Sequence, residues 1–177
     1  MNSLKLLSTH RSIENPGYTY YANIIQDNDR MLNGKPSIFW FGDCDNDVDG
    51  APYWEDDPAG QPETRWHYQG KPINGEIIPY IVVPPQVIKI TPEIVGGCIG
   101  TIEYNGLIQA CVVGDSGPTS KIGEASPAAL RGVGLPSPKN GNGGLDTQEM
   151  LFRIWPGVPA KLVINGADYQ FELQRSS

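Results

Sequence analysis

Glycine and proline together exceed a fifth of this 177-residue chain, 21 and 16 residues respectively, and they punctuate almost its whole length. Long helices have little room between such breakers, and sustained helical periodicity is almost absent. What remains is a series of short apolar blocks bounded by turn residues, the pattern of many short strands joined by tight turns. The clearest pair, residues 98–104 and 107–113, meets at Asn105-Gly106, a dipeptide suited to the type I′ turn of a two-residue hairpin. Asn165-Gly166 supplies a second such turn, between 161–164 and 169–173. Further strands are expected at 38–41, 77–83, 87–90 and 151–155, with Pro84-Pro85 separating the middle two. One helix is expected over 126–131, with Ser126 as N-cap and Pro127 in its first turn. Residues 1–36 are polar and turn-rich, with Asn15-Pro16-Gly17 among the turns, and read as an arm packed on the domain with one strand around 18–25. Residues 37–177 read as a single mainly β domain of ordinary size, carrying long loops at 51–75 and 136–144.

The formal charge is −7, with a sequence pI near 4.7. Such a surface repels nucleic-acid phosphate, and no basic, aromatic-interleaved stretch offsets it, so nucleic acid is not an expected partner. The same charge suits a polycationic partner, and equally it serves plain solubility. The three cysteines, Cys44, Cys98 and Cys111, cannot all pair. If Asn105-Gly106 sets the hairpin register, Cys98 and Cys111 become diagonal neighbours about 7–8 Å apart, too far for a disulfide, so reduced thiols are expected. With no Cys-x-x-Cys and only His10 and His67, a zinc site is not expected either. The apolar stretch near the amino end is too short for a signal peptide, and no run approaches the roughly 20 residues of a membrane span.

The chemistry concentrates in residues 113–126. Asp115 follows an apolar strand, Glu124 follows a glycine nine positions later, and Gly117-Pro118 between them is a turn signal. Fully extended, that interval would hold the acids roughly 30 Å apart; folded back, they can face each other across a cleft. Two carboxyls flanking a sugar–sugar bond are what glycoside hydrolysis requires. The plainer alternative is a turn aspartate bonded to its own backbone and a glutamate favoured by a following helix dipole. Lys121, between them, is either a counter-ion for Asp115 or a solvated loop lysine.

Upstream, Asp43, Asp45, Asp47 and Asp49 alternate before Gly50 and would share one face of a strand, a suitable lining for a cationic groove. The rival reading is a calcium loop opening at Asp45, whose twelfth position would be Asp56. Beside it, Tyr53, Trp54, Trp66 and Tyr68 could stack against sugar rings or could pin the long loop to the core. Trp40 and Trp155 are expected in the core, and His67 is expected to be a loop hydrogen-bonder.

The frame Gly114-Asp115-x-Gly117…Gly123-Glu124-Ala125-Ser126 resembles the catalytic segment of glycoside hydrolase family 75, the fungal-type endo-chitosanases. The run Asp43–Gly50 is similar to that family's alternating-Asp segment, and Pro79-Tyr80-Ile81-Val82-Val83-Pro84 to its following apolar strand. The resemblance implies inverting endo-hydrolysis of β-1,4 bonds in chitosan, with Glu124 as acid and Asp115 as base, or the reverse. It also implies a double-psi-type barrel of six strands with one short helix and long loops, an architecture shared with other polysaccharide-cleaving enzymes. Substrate contacts are then expected from Asp43, Asp45, Asp47, Asp49, Tyr53, Trp54, Trp66 and Lys121. No cofactor or metal is expected, and the protein is expected to be an extracellular or exported monomer. Two alternatives stay open: a peptidoglycan-cleaving, muramidase-like enzyme, and a carbohydrate-binding barrel that does not cleave.

Overall fold

Along residues 19–24 the side chains alternate strictly, with Tyr20, Ala22 and Ile24 turned inward and their neighbours exposed. That pattern suits a sheet covered on one face. The computed structural model, which describes residues 3–14 and 18–175, supplies such a sheet; the turn expected at Asn15-Pro16-Gly17 lies outside the described residues. Its strands are β1 (Leu4–Ile13), β2 (Thr19–Leu32), β3 (Lys35–Asn46), the short β4 (His67–Tyr68) and β5 (Lys71–Pro72), and β6 (Tyr80–Val83). Helix α1 (Pro85–Ile90) follows, then β7 (Cys98–Tyr104), β8 (Leu107–Ser116), β9 (Glu124–Ala125) and helix α2 (Pro127–Gly132). The chain ends with β10 (Leu145–Pro159), β11 (Lys161–Ile164) and β12 (Ala167–Gln170). The fold is mainly β, as its composition requires.

Eight strands form one sheet in the order β1-β2-β3-β10-β7-β8-β6-β9, and β9 also pairs with β3. The hydrogen-bonded pairings therefore return on themselves through β3, β10, β7, β8, β6 and β9. Two of these are parallel, β3 with β9 and β6 with β8. The amino-terminal segment forms two strands rather than one, a β1–β2 hairpin that extends β3 outward. Trp40 and Phe152 stack at the centre, ring centroids 5.5 Å apart, among Ile24, Ile38, Ile81, Val83, Ile102, Val113 and Ile154. On the opposite face of β6 and β8, Tyr80, Val82 and Val112 pack with Ile73, Ile78, Leu162 and Phe171. Strand β6 is thus apolar and buried on both faces, which explains its unbroken Tyr-Ile-Val-Val run.

The Asn105-Gly106 turn forms, with φ of 51° and 79°, and pairs Gly100 with Cys111 as its spacing requires. All three cysteines are free and buried. Residues 87–90, expected as a strand, are instead the body of α1. Pro85 stands at its first helical position, where a missing N–H costs nothing, and Val87 is its buried residue. The strand expected from residue 77 begins only at Tyr80, because the N–H groups of Ile77 and Ile78 turn back to the Asn74 carbonyl. Ser126 caps α2 by accepting from the Ala129 N–H, as expected.

One polar contact ties three strands together from within. The Arg153 guanidinium on β10 lies 3.0 Å from Asp27 on β2, donates to Ser37 on β3 at 2.6 Å, and covers the Phe39 ring at 4.8 Å. Both charged side chains are largely buried, 12% and 9% exposed. Replacing one partner leaves the other charge without compensation, so Arg153→Ala is expected to lower unfolding free energy by about 3 kcal/mol. Urea denaturation measures this; a loss below about 1 kcal/mol, the range of surface pairs, would refute it.

Candidate active site

Strand β6 sets the geometry. Val82 pairs with Asp115 on β8 along one edge and with Glu124 on β9 along the other. Glu124 in turn stands opposite Asp45 on β3. Asp45, Glu124, Val82 and Asp115 therefore form one row across four neighbouring strands. With strands about 4.8 Å apart, the backbones carrying Asp115 and Glu124 are separated by roughly 10 Å. The pairing of β6 with β8 slips by one residue between Ile81 and Val82, passing over Gly114. That irregularity puts Asp115, rather than Gly114, level with Val82.

The chain between the two acids loops out and returns tightly. A side-chain carbon at Gly117 would lie 2.6 Å from Glu124 Oε2, and one at Gly123, whose φ is +111°, would lie 2.2 Å from the Asp43 carbonyl. At Gly123 the left-handed φ and the Asp43 carbonyl together require glycine, whereas at Gly117 the contact is with the end of the Glu124 side chain. Ser126 fixes the exit, accepting from the Tyr80 N–H at 2.8 Å and donating to the Ile78 carbonyl at 3.1 Å.

A cleft of about 510 Å³ opens over this row, with Asp47, Asp49, Asp57, Asp115, Lys121 and Glu124 in its wall. A neighbouring hollow of about 300 Å³ is lined by Glu14, Tyr18, Asp43, Asp45, Lys121 and Asp146. Lys121 belongs to both and, among the described residues, is the only cation lining either. Its Nζ lies 3.4 Å from Asp45 and 3.8 Å from Glu14.

The alternating aspartates thus do not share one face. Strand β3 stops at Asn46, and the chain then turns, with Asp47 Oδ1 accepting the Asp49 N–H at 3.1 Å. Buried Tyr80 holds this turn, its hydroxyl donating to the Asp47 and Asp49 carbonyls. Asp43 and Asp45 gather with Glu14, while Asp47 and Asp49 gather with Asp115, each triad having carboxylate oxygens within 4.8 Å of one another. Either triad is compact enough for its oxygens to share one cation. The calcium-loop set is divided between them, and Asp56 belongs to neither.

The aromatic residues lie elsewhere. Among the described residues, no aromatic side chain lines the cleft. Trp66 is buried in the core, 4% exposed. The Tyr53 hydroxyl donates to Glu76 and its ring receives the Lys139 ammonium at 5.2 Å. Trp54 opens a single 3₁₀ turn, and Tyr68 packs against Tyr169 and Phe171. His67 hydrogen-bonds Glu63 in the loop. Glu14, Asp57 and Asp146, absent from the sequence-based site, join the two hollows through long-range packing that no local pattern signals.

Crowding raises the carboxyl pKa values. Burial and the adjacent Asp45 push Glu124 up to about 8, against the pull of Lys121. Burial likewise takes Asp43 to about 8 and Asp49 to about 6. Asp115 is raised by burial, but the Arg65 and Ser116 N–H groups, at 2.8 and 2.9 Å, favour its ionised form. Burial opposes the charge of Lys121, yet Asp45 and Glu14 carry its pKa upward. The arrangement suits proton donation by one carboxyl and proton acceptance by another near neutral pH. No protein-family model and no curated protein matches this chain.

Raised carboxyl pKa values make the folded protein bind protons that the unfolded chain has released. The stability contributed by protonated Glu124 and Asp43 is complete below their ordinary values of 4.5 and 3.8 and is lost as pH rises through about 8. Melting temperature is therefore expected to be several degrees higher at pH 5 than at pH 8.5, by differential scanning calorimetry. An equal or higher value at pH 8.5 would contradict the protonated-carboxyl arrangement.

Proposed function

We propose that this protein is a glycoside hydrolase that cleaves the β-1,4 bonds of chitosan with inversion of configuration. The observation that carries the proposal is the register of β6, which sets Asp115 and Glu124 either side of Val82 beneath one open cleft. A backbone separation of roughly 10 Å is compatible with the 6.5–9.5 Å between carboxyls that an inverting enzyme needs to admit a water. Glu124, with a pKa near 8, is the acid: it gives its proton to the glycosidic oxygen as the bond to the anomeric carbon breaks. Asp115 is the base: it takes a proton from the water that attacks that carbon from the opposite face. The products are a new reducing end of inverted configuration and a new non-reducing hydroxyl.

Charge selects the polymer. Five of the cleft's lining residues are acidic and one is basic. Glucosamine ammonium groups are attracted into such a wall, whereas the free carboxylates of peptidoglycan's peptide stems are repelled, so a muramidase-like activity is the second reading. Substrate ammonium groups also relieve the repulsion between Asp49 and Asp115. The strand circuit, with its parallel β3–β9 and β6–β8 pairings, supports a double-psi type of barrel as the scaffold. The polymer lies outside cells, so the enzyme acts there.

Wild-type protein is expected to release reducing ends from chitosan. Asp115→Asn and Glu124→Gln should each lose about 10²–10⁴-fold in kcat while still binding the polymer. Proton NMR of the first products should show the α-anomer. Release from peptidoglycan alone would move the proposal to cell-wall cleavage, and undiminished turnover in both variants would overturn the assignment of this acid pair.

A further inference from the structure

Asp47 has a hydrogen-bonding environment that substrate binding does not require. It keeps some surface at the cleft wall, but protein packs closely around its carboxyl, and burial together with Asp49 and Glu124 pushes its pKa well up. Its oxygens lie within 4.8 Å of those of Asp115, and contact with Asp47 favours the ionised form of Asp115. Two carboxyls can share a hydrogen bond only if one of them carries a proton. Asp115 Oδ1 already accepts from the Arg65 and Ser116 N–H groups, bonds that favour an anion there. A proton shared by the pair is therefore better placed on Asp47, whose Oδ1 already accepts the Asp49 N–H, than on Asp115.

We propose that Asp47 is a positioning residue: a neutral carboxylic acid that donates a hydrogen bond to Asp115, holding it ionised and fixing which oxygen faces the attacking water. The proposal rests on Asp115 as the base of the proposed hydrolase. The charged and titratable groups around the pair come from four elements: Asp49 on the same turn, Arg65 on the loop before β4, Tyr80 on β6 and Glu124 on β9. Arg65 favours the Asp115 anion, while Asp49 and Glu124 raise the pKa of Asp47. Tyr80 fixes the turn through the Asp47 and Asp49 carbonyls, so the donor is held from the rigid side of the cleft.

The sign of one shift tests this. If Asp47 is a neutral donor, its removal takes a hydrogen bond from the Asp115 anion and raises the Asp115 pKa; if it is a second anion, its removal lowers it. Carbon-13 NMR titration of the Asp115 side-chain carboxyl in labelled protein reads that pKa without any need for turnover. Asp47→Ala is expected to raise it by about one pH unit or more. Asp47→Asn, which keeps an N–H donor in the same place, is expected to leave it within about half a unit, and this variant decides the matter should the alanine form not fold. A fall in the Asp115 pKa in either variant, or no change in Asp47→Ala, overturns the proposal. On chitosan, the acid limb of kcat/KM should move upward in Asp47→Ala and be restored in Asp47→Asn, with KM little changed. If wild-type protein proves inactive on chitosan, the hydrolase reading fails, while the NMR titration still decides the role of Asp47.

Discussion

Strand β6 is hydrogen-bonded along both edges, to β8 and to β9, and buried on both faces, and the candidate site depends on its placement. Its ladder bonds put Asp115 and Glu124 level with Val82. Its Tyr80 hydroxyl holds the turn that carries Asp47 and Asp49, and its Tyr80 N–H is met by Ser126, the residue that caps α2. One four-residue strand with no ionisable carboxyl of its own therefore positions four that belong to other segments. Because the strand is fully packed, with Tyr80, Ile81 and Val83 without exposed surface, the carboxyls cannot relax apart by moving the backbone beneath them.

That rigidity explains why the repulsion is met by protons and not by distance. Glu124 and Asp43 retain protons to about pH 8, and among the described residues Lys121 supplies the only cation in the wall of the two hollows. A surface free to choose its residues would not crowd carboxyls in this way, since each buried acid weakens the fold once ionised. Local destabilisation of this kind is characteristic of groups held for chemistry.

Local signals account for what was legible from sequence. Asn105-Gly106 specifies its turn through two residues that tolerate positive φ, and the hairpin register follows from the turn itself. Ser126 and Pro127 mark the start of α2 in the same local way. The acid pair is legible because Gly117 and Gly123 bracket the returning loop, Gly123 being required by its left-handed φ and the adjacent Asp43 carbonyl. What escapes sequence depends on where strands stop and what they meet. Alternation places Asp43 through Asp49 on one face only while β3 remains extended, and β3 ends at Asn46. Glu14 reaches Asp43 and Asp45 across the sheet, and Trp66 is buried because distant Gly96 packs against its indole ring. Residues 87–90 are ambiguous in themselves, four residues with two β-branched isoleucines and a valine, and the helix is decided by Pro85 and the packing of Val87.

The two acids differ in their surroundings, and the difference favours one division of labour. Glu124 has Asp45 directly opposite across the β3–β9 pairing, with Lys121 beside it, and among the described residues no backbone N–H donates to Glu124 as two do to Asp115. Asp115 has two backbone N–H groups and the Arg65 charge favouring its ionised form. Deprotonation is therefore resisted at Glu124 and favoured at Asp115, although both are buried. A cationic sugar unit entering beside Asp49 and Asp57, on the Asp115 side of the cleft, would widen that gap by stabilising the nearer anion more strongly than the farther one. In the proposed hydrolase, substrate charge thus reinforces the protonation states that the scaffold prepares, so that a polycation is both the ligand the wall attracts and the one that leaves the acid protonated and the base free.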